Sequence, residues 1–117
     1  MKEKRDITVY LKDIIESADL IKTYLKGISE GDFYVTTEKQ DAVLHRIQII
    51  GEAAKHVPDE YRKKWDHISW KEIAGMRDIL VHEYFGVTLG MIWKVAVEDI
   101  PVLKNQLVEL LNQYLPE

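Results

Sequence analysis

Residues 69–86, SWKEIAGMRDILVHEYFG, start with a helix-capping signal and end at a glycine. Ser69 can cap the free amides of a first helical turn, and Glu72, three residues later, can reach back to the Ser69 amide. Gly86 can end the helix in the left-handed conformation. We therefore predict one helix over this stretch. It carries four polar residues of interest: Arg77, Asp78, His82 and Tyr84.

The spacing of these residues decides which of them can act together. Successive helical residues turn by about 100°, so residues four or seven apart share a face. Asp78 can therefore approach His82 and fix the tautomer of its imidazole. Arg77 and His82 are five apart and diverge by roughly 140°. A second copy of the helix across a two-fold axis could bring both types into one cleft, so we predict a homodimer with Gly75 near its axis.

Each of these side chains also has a purely structural interpretation. His82 could be a half-buried histidine that the helix dipole favours at a C-terminus. Arg77 could form an ion pair with a nearby acid such as Asp78, and Asp78 could be an ordinary surface carboxylate.

Composition restricts the class of protein. The 117 residues fit a single domain spanning 1–117, and 46% hydrophobic residues can build a core. Because cysteine is absent, neither disulfides nor thiolate chemistry is expected. The first residues do not resemble a secretory signal, and no apolar run is long enough to span a bilayer. We therefore predict a cytoplasmic protein without membrane contact.

The charge pattern argues against a general nucleic-acid coat. The formal net charge is −4, whereas such proteins are usually basic. Residues 60–82 nevertheless carry five Lys or Arg against four acids, a net of +1, which leaves −5 for the remainder. An RNA site should therefore be local, centred on the Arg77 helix with Lys63 and Lys64 nearby.

The rest of the chain indicates an all-α fold, an up-and-down bundle of four long helices. Apolar residues three and four apart predict long helices over 7–28, 37–57 and 88–114, besides the one that contains Arg77. A short extra turn is expected over 59–66. No segment shows the two-residue alternation of a strand.

Several boundaries follow from local signals. We expect Gly27 and Gly31 with Asp32 to end the first helix, and residues 33–35 to form an apolar connector. Thr37 with Gln40 is a capping-box candidate for the second long helix. Pro101 should cause a kink, or a restart of the helix capped by Asp99.

Gly51 lies inside a predicted helix, where glycine costs about 1 kcal/mol relative to alanine. Close packing of another helix explains its presence best. Glu52 and His56, four apart, suit an ion pair on a solvated face. His45 and His56 are separated by roughly 16 Å along the helix, so they do not form a metal site. We expect neither a metal nor a cofactor.

The stretch Arg77-Asp78-Ile79-Leu80-Val81-His82-Glu83-Tyr84 resembles the motif of the HEPN superfamily, and most closely that of the HepT-like toxins. Ile50 to Ala54, Trp70 and the region from Trp93 to Pro101 are also similar, so the resemblance covers most of the chain.

The resemblance implies a metal-independent endoribonuclease, the toxin of a HepT–MntA type toxin–antitoxin system. His82 would act as acid or base, Arg77 would hold the phosphate, and Asp78 would orient His82. Tyr84 would accept nucleotide groups from a partner nucleotidyltransferase, and this adenylylation would neutralise the toxin.

A second interpretation fits the same residues. The chain could be a non-catalytic helical module that binds a nucleotide, or the substrate-presenting subunit of a nucleotidyltransferase, with Arg77 and His82 as ligand contacts. Cleavage of RNA in the presence of EDTA distinguishes the two.

Overall fold

The computed structural model describes the backbone of residues 6–82 and 88–114, and the side chains within 6–78 and 88–113. All regular structure in these ranges is helical, which confirms the all-α prediction. Six α-helices precede the last one, and a π-helical turn interrupts the C-terminal helix. The elements are α1 (Ile7–Leu25), α2 (Glu30–Val35), α3 (Thr37–Lys55), α4 (Asp59–Lys64), α5 (Trp70–His82), α6 (Leu89–Lys94), the π turn (Val95–Asp99) and α7 (Ile100–Tyr114).

The predicted apolar stripe of α1 forms the centre of the core. Asp6 caps this helix by accepting a hydrogen bond from the Thr8 amide at 2.9 Å. Behind the cap, the apolar side chains repeat three and four residues apart and are almost completely buried because they face α3 and α7. They are Ile7, Leu11, Ile14, Ala18 and Ile21.

Helix α3 lies between α1 and α5, and α7 packs on α1. The α1–α3 pair is antiparallel, because Tyr10 stacks on His56 while Ser17 accepts a hydrogen bond from Arg46 at 3.4 Å. The predicted core face of α3 is buried: Val43, Ile47, Ile50, Ala54 and Val57. With α6, the π turn and α7 counted as one long helix, the four-helix prediction is confirmed. Among the described residues, no helix is long and apolar enough to cross a membrane.

The segment predicted to be an apolar connector is helix α2. Ser29 and Asp32 form a capping box, in which each side chain accepts the other residue's amide at 3.1 Å. Gly31 and Asp32 therefore lie inside a helix, and the prediction that they end the first one is wrong. Gly27 has the left-handed conformation, with φ of 79°. Phe33 is fully buried, with its ring 5.5 Å from that of Trp93, which anchors this short helix to the core.

The capping box predicted at Thr37 is also wrong. Thr36 is the N-cap residue, and its side chain makes no capping hydrogen bond. The side-chain amide of Gln40 instead donates to the carbonyls of Phe33 and Tyr34 at 3.0 and 3.1 Å. Gln40 therefore helps to cap the C-terminal end of α2, which lies directly before α3.

The irregularity predicted at Pro101 takes the form of a π turn. The Ile100 amide donates to the Val95 carbonyl, five residues back, and Lys94 and Ile100 both keep helical backbone angles. The chain therefore does not leave the helix, and the predicted restart capped by Asp99 is wrong. Because proline cannot donate a backbone hydrogen bond, one wider turn ahead of it resolves the conflict without a break.

Candidate active site

Three side-chain hydrogen bonds hold the segment that leads into α5. Arg62 of α4 donates to the carbonyls of Ala54 and Val57 at 2.8 and 3.0 Å, so it caps the end of α3. The buried ring N–H of Trp70 donates to the Trp65 carbonyl at 3.1 Å. This short turn, predicted over 59–66, thereby sets where α5 starts. Arg62 serves the fold, although its charge counted toward the basic region predicted for RNA.

Helix α5 spans Trp70–His82, so the predicted helix is confirmed as far as it is described. Ser69 precedes it, and its carbonyl accepts from the Ile73 amide at 3.0 Å. Tyr84 and the helix stop predicted at Gly86 lie outside the described residues, as does the side chain of His82.

Helices α3 and α5 are in close contact at Gly51. A Cβ atom at this position would lie 2.5 Å from the Arg77 Cβ, 3.1 Å from the Arg77 nitrogen and 3.2 Å from the Ile73 carbonyl oxygen. Real Cβ atoms do not approach other atoms so closely, so only glycine fits here without a shift of the helices. The close packing predicted at Gly51 is confirmed, and its partner is the backbone that carries Arg77.

The guanidinium of Arg77 lies between two carboxylates. Its Nε is 3.3 Å from Oε1 of Glu52 on α3, and its Nη1 is 3.3 Å from Oδ1 of Asp78. The Arg77 side chain is 32% exposed and both acids are 50% exposed. Because solvent reaches the whole group, these pairs orient Arg77 more than they stabilise the fold; exposed pairs contribute up to about 1 kcal/mol.

Two more charged groups extend this cluster. Lys55 Nζ lies 3.7 Å from Asp78 Oδ1, and His56 Nε2 lies 3.2 Å from the second Glu52 oxygen. The contact predicted between Glu52 and His56 is confirmed. Arg77 and Lys55 carry as many positive charges as Glu52 and Asp78 carry negative ones, so these four side chains have no net charge.

Of the predicted site residues, the structure describes the side chains of Arg77 and Asp78 and not those of His82 and Tyr84. Arg77 and Asp78 are adjacent and in contact, as the ion-pair interpretation of Arg77 expected. The described contacts of Asp78 are to Arg77 and Lys55, and its predicted role in orienting His82 stays a prediction. Since α5 is helical through His82, the backbone separation of roughly 140° between Arg77 and His82 applies.

Gly75 differs from Gly51. An added Cβ at Gly75 would meet no other described atom within 4 Å, so packing among the described residues does not account for the glycine.

Sequence reasoning missed the contact between Glu52 and Arg77. The neighbouring residue held the signal: a helical glycine at position 51 predicts a close helix approach, and Glu52 must then lie near the approaching helix. What the sequence could not supply was the identity of that helix.

The chemistry of the cluster suits an anion. The partly exposed guanidinium of Arg77 lies on the surface of α5, and a second cation, Lys55, lies close by. The described side chains include no group of three or more metal-ligating residues close enough to hold an ion. Arginine binds phosphate well because its planar donors match the oxygen geometry.

Comparison with known proteins agrees with this chemistry. The sequence profile of the family described as Ribonuclease HepT-like matches residues 14–110. A Thermococcus cleftensis protein named probable ribonuclease HepT is 41% identical over 92% of this chain and 97% of its own length. A Caldanaerobacter subterraneus subsp. tengcongensis protein, provisionally named an RNase, is 42% identical over 89% of this chain and 93% of its own.

The name of a longer relative includes a second activity. A Methanocaldococcus jannaschii protein, named a gamma-glutamylcyclotransferase and provisionally an RNase, is 48% identical over 94% of this chain. The match spans 50% of that protein, so this chain corresponds to half of it. No solved structure matches the chain.

The family match covers most of the chain, and relatives of similar length align almost from end to end. The interpretation of the sequence as a HepT-like HEPN protein, an enzyme of the ribonuclease class, is therefore confirmed. The chain belongs to the Ribonuclease HepT-like family.

Proposed function

We propose that this chain is a metal-independent endoribonuclease and the toxin of a HepT–MntA type toxin–antitoxin pair in the cytoplasm. One observation supports the proposal most: Arg77 presents a partly exposed guanidinium, held by Glu52 and Asp78, on the helix that also contains His82. Family membership supplies the substrate class, RNA.

The proposed reaction uses the 2′-hydroxyl of the RNA itself. His82 takes the proton from this hydroxyl, and the 2′-oxygen attacks the adjacent phosphorus. The bond from phosphorus to the 5′-oxygen of the next nucleotide breaks, and that oxygen gains a proton. Arg77 stabilises the negative charge that grows on the phosphoryl oxygens. The products are a 2′,3′-cyclic phosphate and a 5′-hydroxyl, and no external water is consumed.

The decisive experiment is cleavage of RNA in the presence of EDTA by protein purified from a nuclease-deficient host. The expected products carry cyclic phosphate ends, detectable by mass spectrometry. Complete loss of cleavage on chelation, restored by a divalent metal, would contradict the metal-independent mechanism.

We further propose that the active site is shared between two chains. Arg77 and His82 diverge by roughly 140° on one helix, so a single small phosphate is not easily held by both. The space beside Gly75 among the described residues supports the approach of a second α5 at this position. Across a two-fold axis, Arg77 of one chain would then act with His82 of the other.

Replacement of Gly75 by leucine should separate the dimer and abolish RNA cleavage. An added Cβ at Gly75 meets no described atom within 4 Å, so we expect helicity to stay unchanged by circular dichroism. Sedimentation at micromolar concentration should show a dimer for the wild type and a monomer for the variant. A wild-type monomer with full RNase activity would contradict the shared site.

Tyr84 is the proposed acceptor of nucleotide groups. It follows His82 by two residues in the sequence and would share a helix face with Arg77, seven residues earlier, so a phosphate added there would bring negative charge close to the site of RNA phosphate. The added group would repel RNA and compete for Arg77. A partner nucleotidyltransferase, MntA-like and using ATP, would carry out this adenylylation.

Substitution of Tyr84 by phenylalanine should leave cleavage of RNA intact but abolish neutralisation by the co-expressed nucleotidyltransferase. Phenylalanine keeps the aromatic ring and removes only the acceptor oxygen. Mass spectrometry of the co-expressed pair should find adenylyl groups on Tyr84 in the wild type and none in this variant. Tyr24→Phe, altered beside the core, serves as the control and should stay neutralised. An adduct on another residue would exclude Tyr84 as the acceptor.

One observation favours the alternative function, which is a nucleotide-binding or substrate-presenting module without catalysis. Arg77 already contacts two carboxylates, and the cluster around it has no net charge, which suits a modest anion site. Retention of full RNase activity by His82→Ala would favour this second function.

A further inference from the structure

We propose that Glu52 is a positioning residue for Arg77, a role that rests on the proposed function of Arg77 as the phosphate-binding group. Glu52 comes from α3, whereas Arg77 and His82 come from α5. The carboxylate would therefore act through Arg77 without touching RNA.

Both oxygens of Glu52 are engaged. Oε1 lies 3.3 Å from Arg77 Nε, and Oε2 lies 3.2 Å from His56 Nε2. His56 is itself restrained, because its ring stacks on that of Tyr10 with centroids 5.4 Å apart and an interplanar angle of 15°. A row of contacts thus runs from Tyr10 on α1 through His56 and Glu52 to Arg77. A carboxylate held at both ends can define the plane of the guanidinium better than a free one.

This arrangement divides the donors of Arg77. The Nε of Arg77 contacts Glu52, and its Nη1 contacts Asp78. Within the described residues, Nη2 makes no contact with a carboxylate, so its two N–H groups can face a phosphate oxygen together with the second N–H of Nη1. Without Glu52, the guanidinium could turn and offer both terminal nitrogens to Asp78, the two-pronged geometry that carboxylates favour. Nη2 would then be taken, and Arg77 would be turned away from RNA.

The close approach at Gly51 supports the same role. It places the Arg77 backbone directly against α3, one residue before Glu52. Backbone and side chain of Arg77 are therefore both set by the same turn of α3. A displacement of about 1 Å in a group that stabilises a transition state can cost on the order of 100-fold in rate.

The proposal predicts two opposite effects of Glu52→Gln. The kcat for RNA should fall by about 10- to 100-fold, since Arg77 is misplaced. The KM should also fall, by about two- to fivefold, because removal of one negative charge leaves the cluster with a net charge of +1 toward RNA. A merely structural role would reduce the amount of active protein and would not lower KM.

Glu52→Asp separates geometry from charge. It keeps the negative charge but shortens the side chain by one methylene, so it cannot reach Arg77 and His56 as Glu52 does. We expect kcat to fall while KM stays at the wild-type value. Glu109→Gln, which removes an exposed charge on α7, is the matched control and should change neither parameter.

The experiment measures kcat and KM of all four proteins on a fluorophore–quencher RNA oligonucleotide of mixed sequence. Thermal midpoints should agree within about 4 °C, because the Glu52 pairs are half exposed. The Nε–H signal of Arg77 in the ¹⁵N spectrum, one of only four arginines and assigned with Arg77→Lys, should shift in Glu52→Gln and stay in Glu109→Gln.

Values of kcat within twofold of wild type in both Glu52 variants, or an unchanged Arg77 Nε–H signal, would overturn the proposal. Failure of the proposed function looks different. If the wild type does not cleave RNA at all, the kinetic measurements report that failure, and the Nε–H signal decides whether Glu52 positions Arg77.

Discussion

Alanine at His82 is expected to lower RNA cleavage by about 10³-fold, and alanine at Arg77 by on the order of 10²–10³-fold. The His82 imidazole moves the proton in the proposed reaction, so its removal leaves only solvent to do so. Arg77 stabilises charge that appears in the transition state, and its loss should therefore appear mainly in kcat. Initial rates on RNA with EDTA present measure both effects.

Asp78→Asn should reduce the rate less than either alanine substitution. The amide keeps an oxygen that Arg77 Nη1 can donate to, but it no longer carries the charge that attracts Arg77 and Lys55. A loss of about tenfold is expected, in line with a group that orients others.

Two exposed residues give matched controls for these variants. His67→Ala removes a histidine in the turn before α5, and Lys71→Ala removes a cation from α5 itself. Both proteins should cleave RNA at nearly the wild-type rate. Full activity of His82→Ala in a preparation free of other nucleases would refute the enzymatic role of His82. The fold of every variant is checked by circular dichroism.

The long helices could be predicted because their signal is local. In α1 and α3, apolar residues three and four apart fix which face is buried, and the structure buries those faces. The helix predicted over 88–114 begins as expected, because the hydroxyl oxygen of Thr88 accepts the Met91 amide at 3.1 Å and caps α6.

Two boundaries between α1 and α3 were predicted wrongly. Ser29 with Asp32 forms a capping box that starts α2, whereas Thr37 with Gln40 does not form one at the start of α3. The buried Phe33 ring packs against Trp93, sixty residues later in the chain, and local propensity contains no information on that contact.

The candidate site, too, could be predicted only in part from the sequence. Its motif lies on one predicted helix, so Arg77 and Asp78 could be identified from sequence. The partner of Arg77 on α3 could not, because the Glu52 contact depends on which two helices cross and at which residue. Gly51 revealed that a crossing exists, and the structure adds that it lies at Arg77.

The second large expected effect is a loss of stability when the crossing of α3 and α5 at Gly51 is disturbed. Valine at Gly51 should destabilise the fold by about 3 kcal/mol, measured as the free energy of unfolding in urea. Its Cβ would lie 2.5 Å from the Arg77 Cβ, which is fixed to the backbone and cannot swing aside as a flexible side-chain end could. Overpacking of a core usually costs 1–3 kcal/mol, and the branched side chain enlarges the clash.

Alanine at Gly51 separates the clash from helix propensity. In an unrestricted helix, exchanging glycine for alanine stabilises by about 1 kcal/mol. Here the same Cβ clash must still be relieved, so we expect net destabilisation of about 1–2 kcal/mol for Gly51→Ala. Gly31→Ala, where the nearest atom lies 3.8 Å away, is the control and should not destabilise.

RNase activity should respond more strongly than stability to these changes. To make room for the new side chain, α3 and α5 must separate at the point that holds Arg77, and Glu52 would move with α3. Gly51→Ala should therefore lower kcat by at least about tenfold under conditions where the protein is fully folded. If both Gly51 variants unfold like the wild type in urea, the helices do not meet at this residue. If Gly51→Ala is destabilised but retains the wild-type kcat, the crossing supports the fold without setting the position of Arg77.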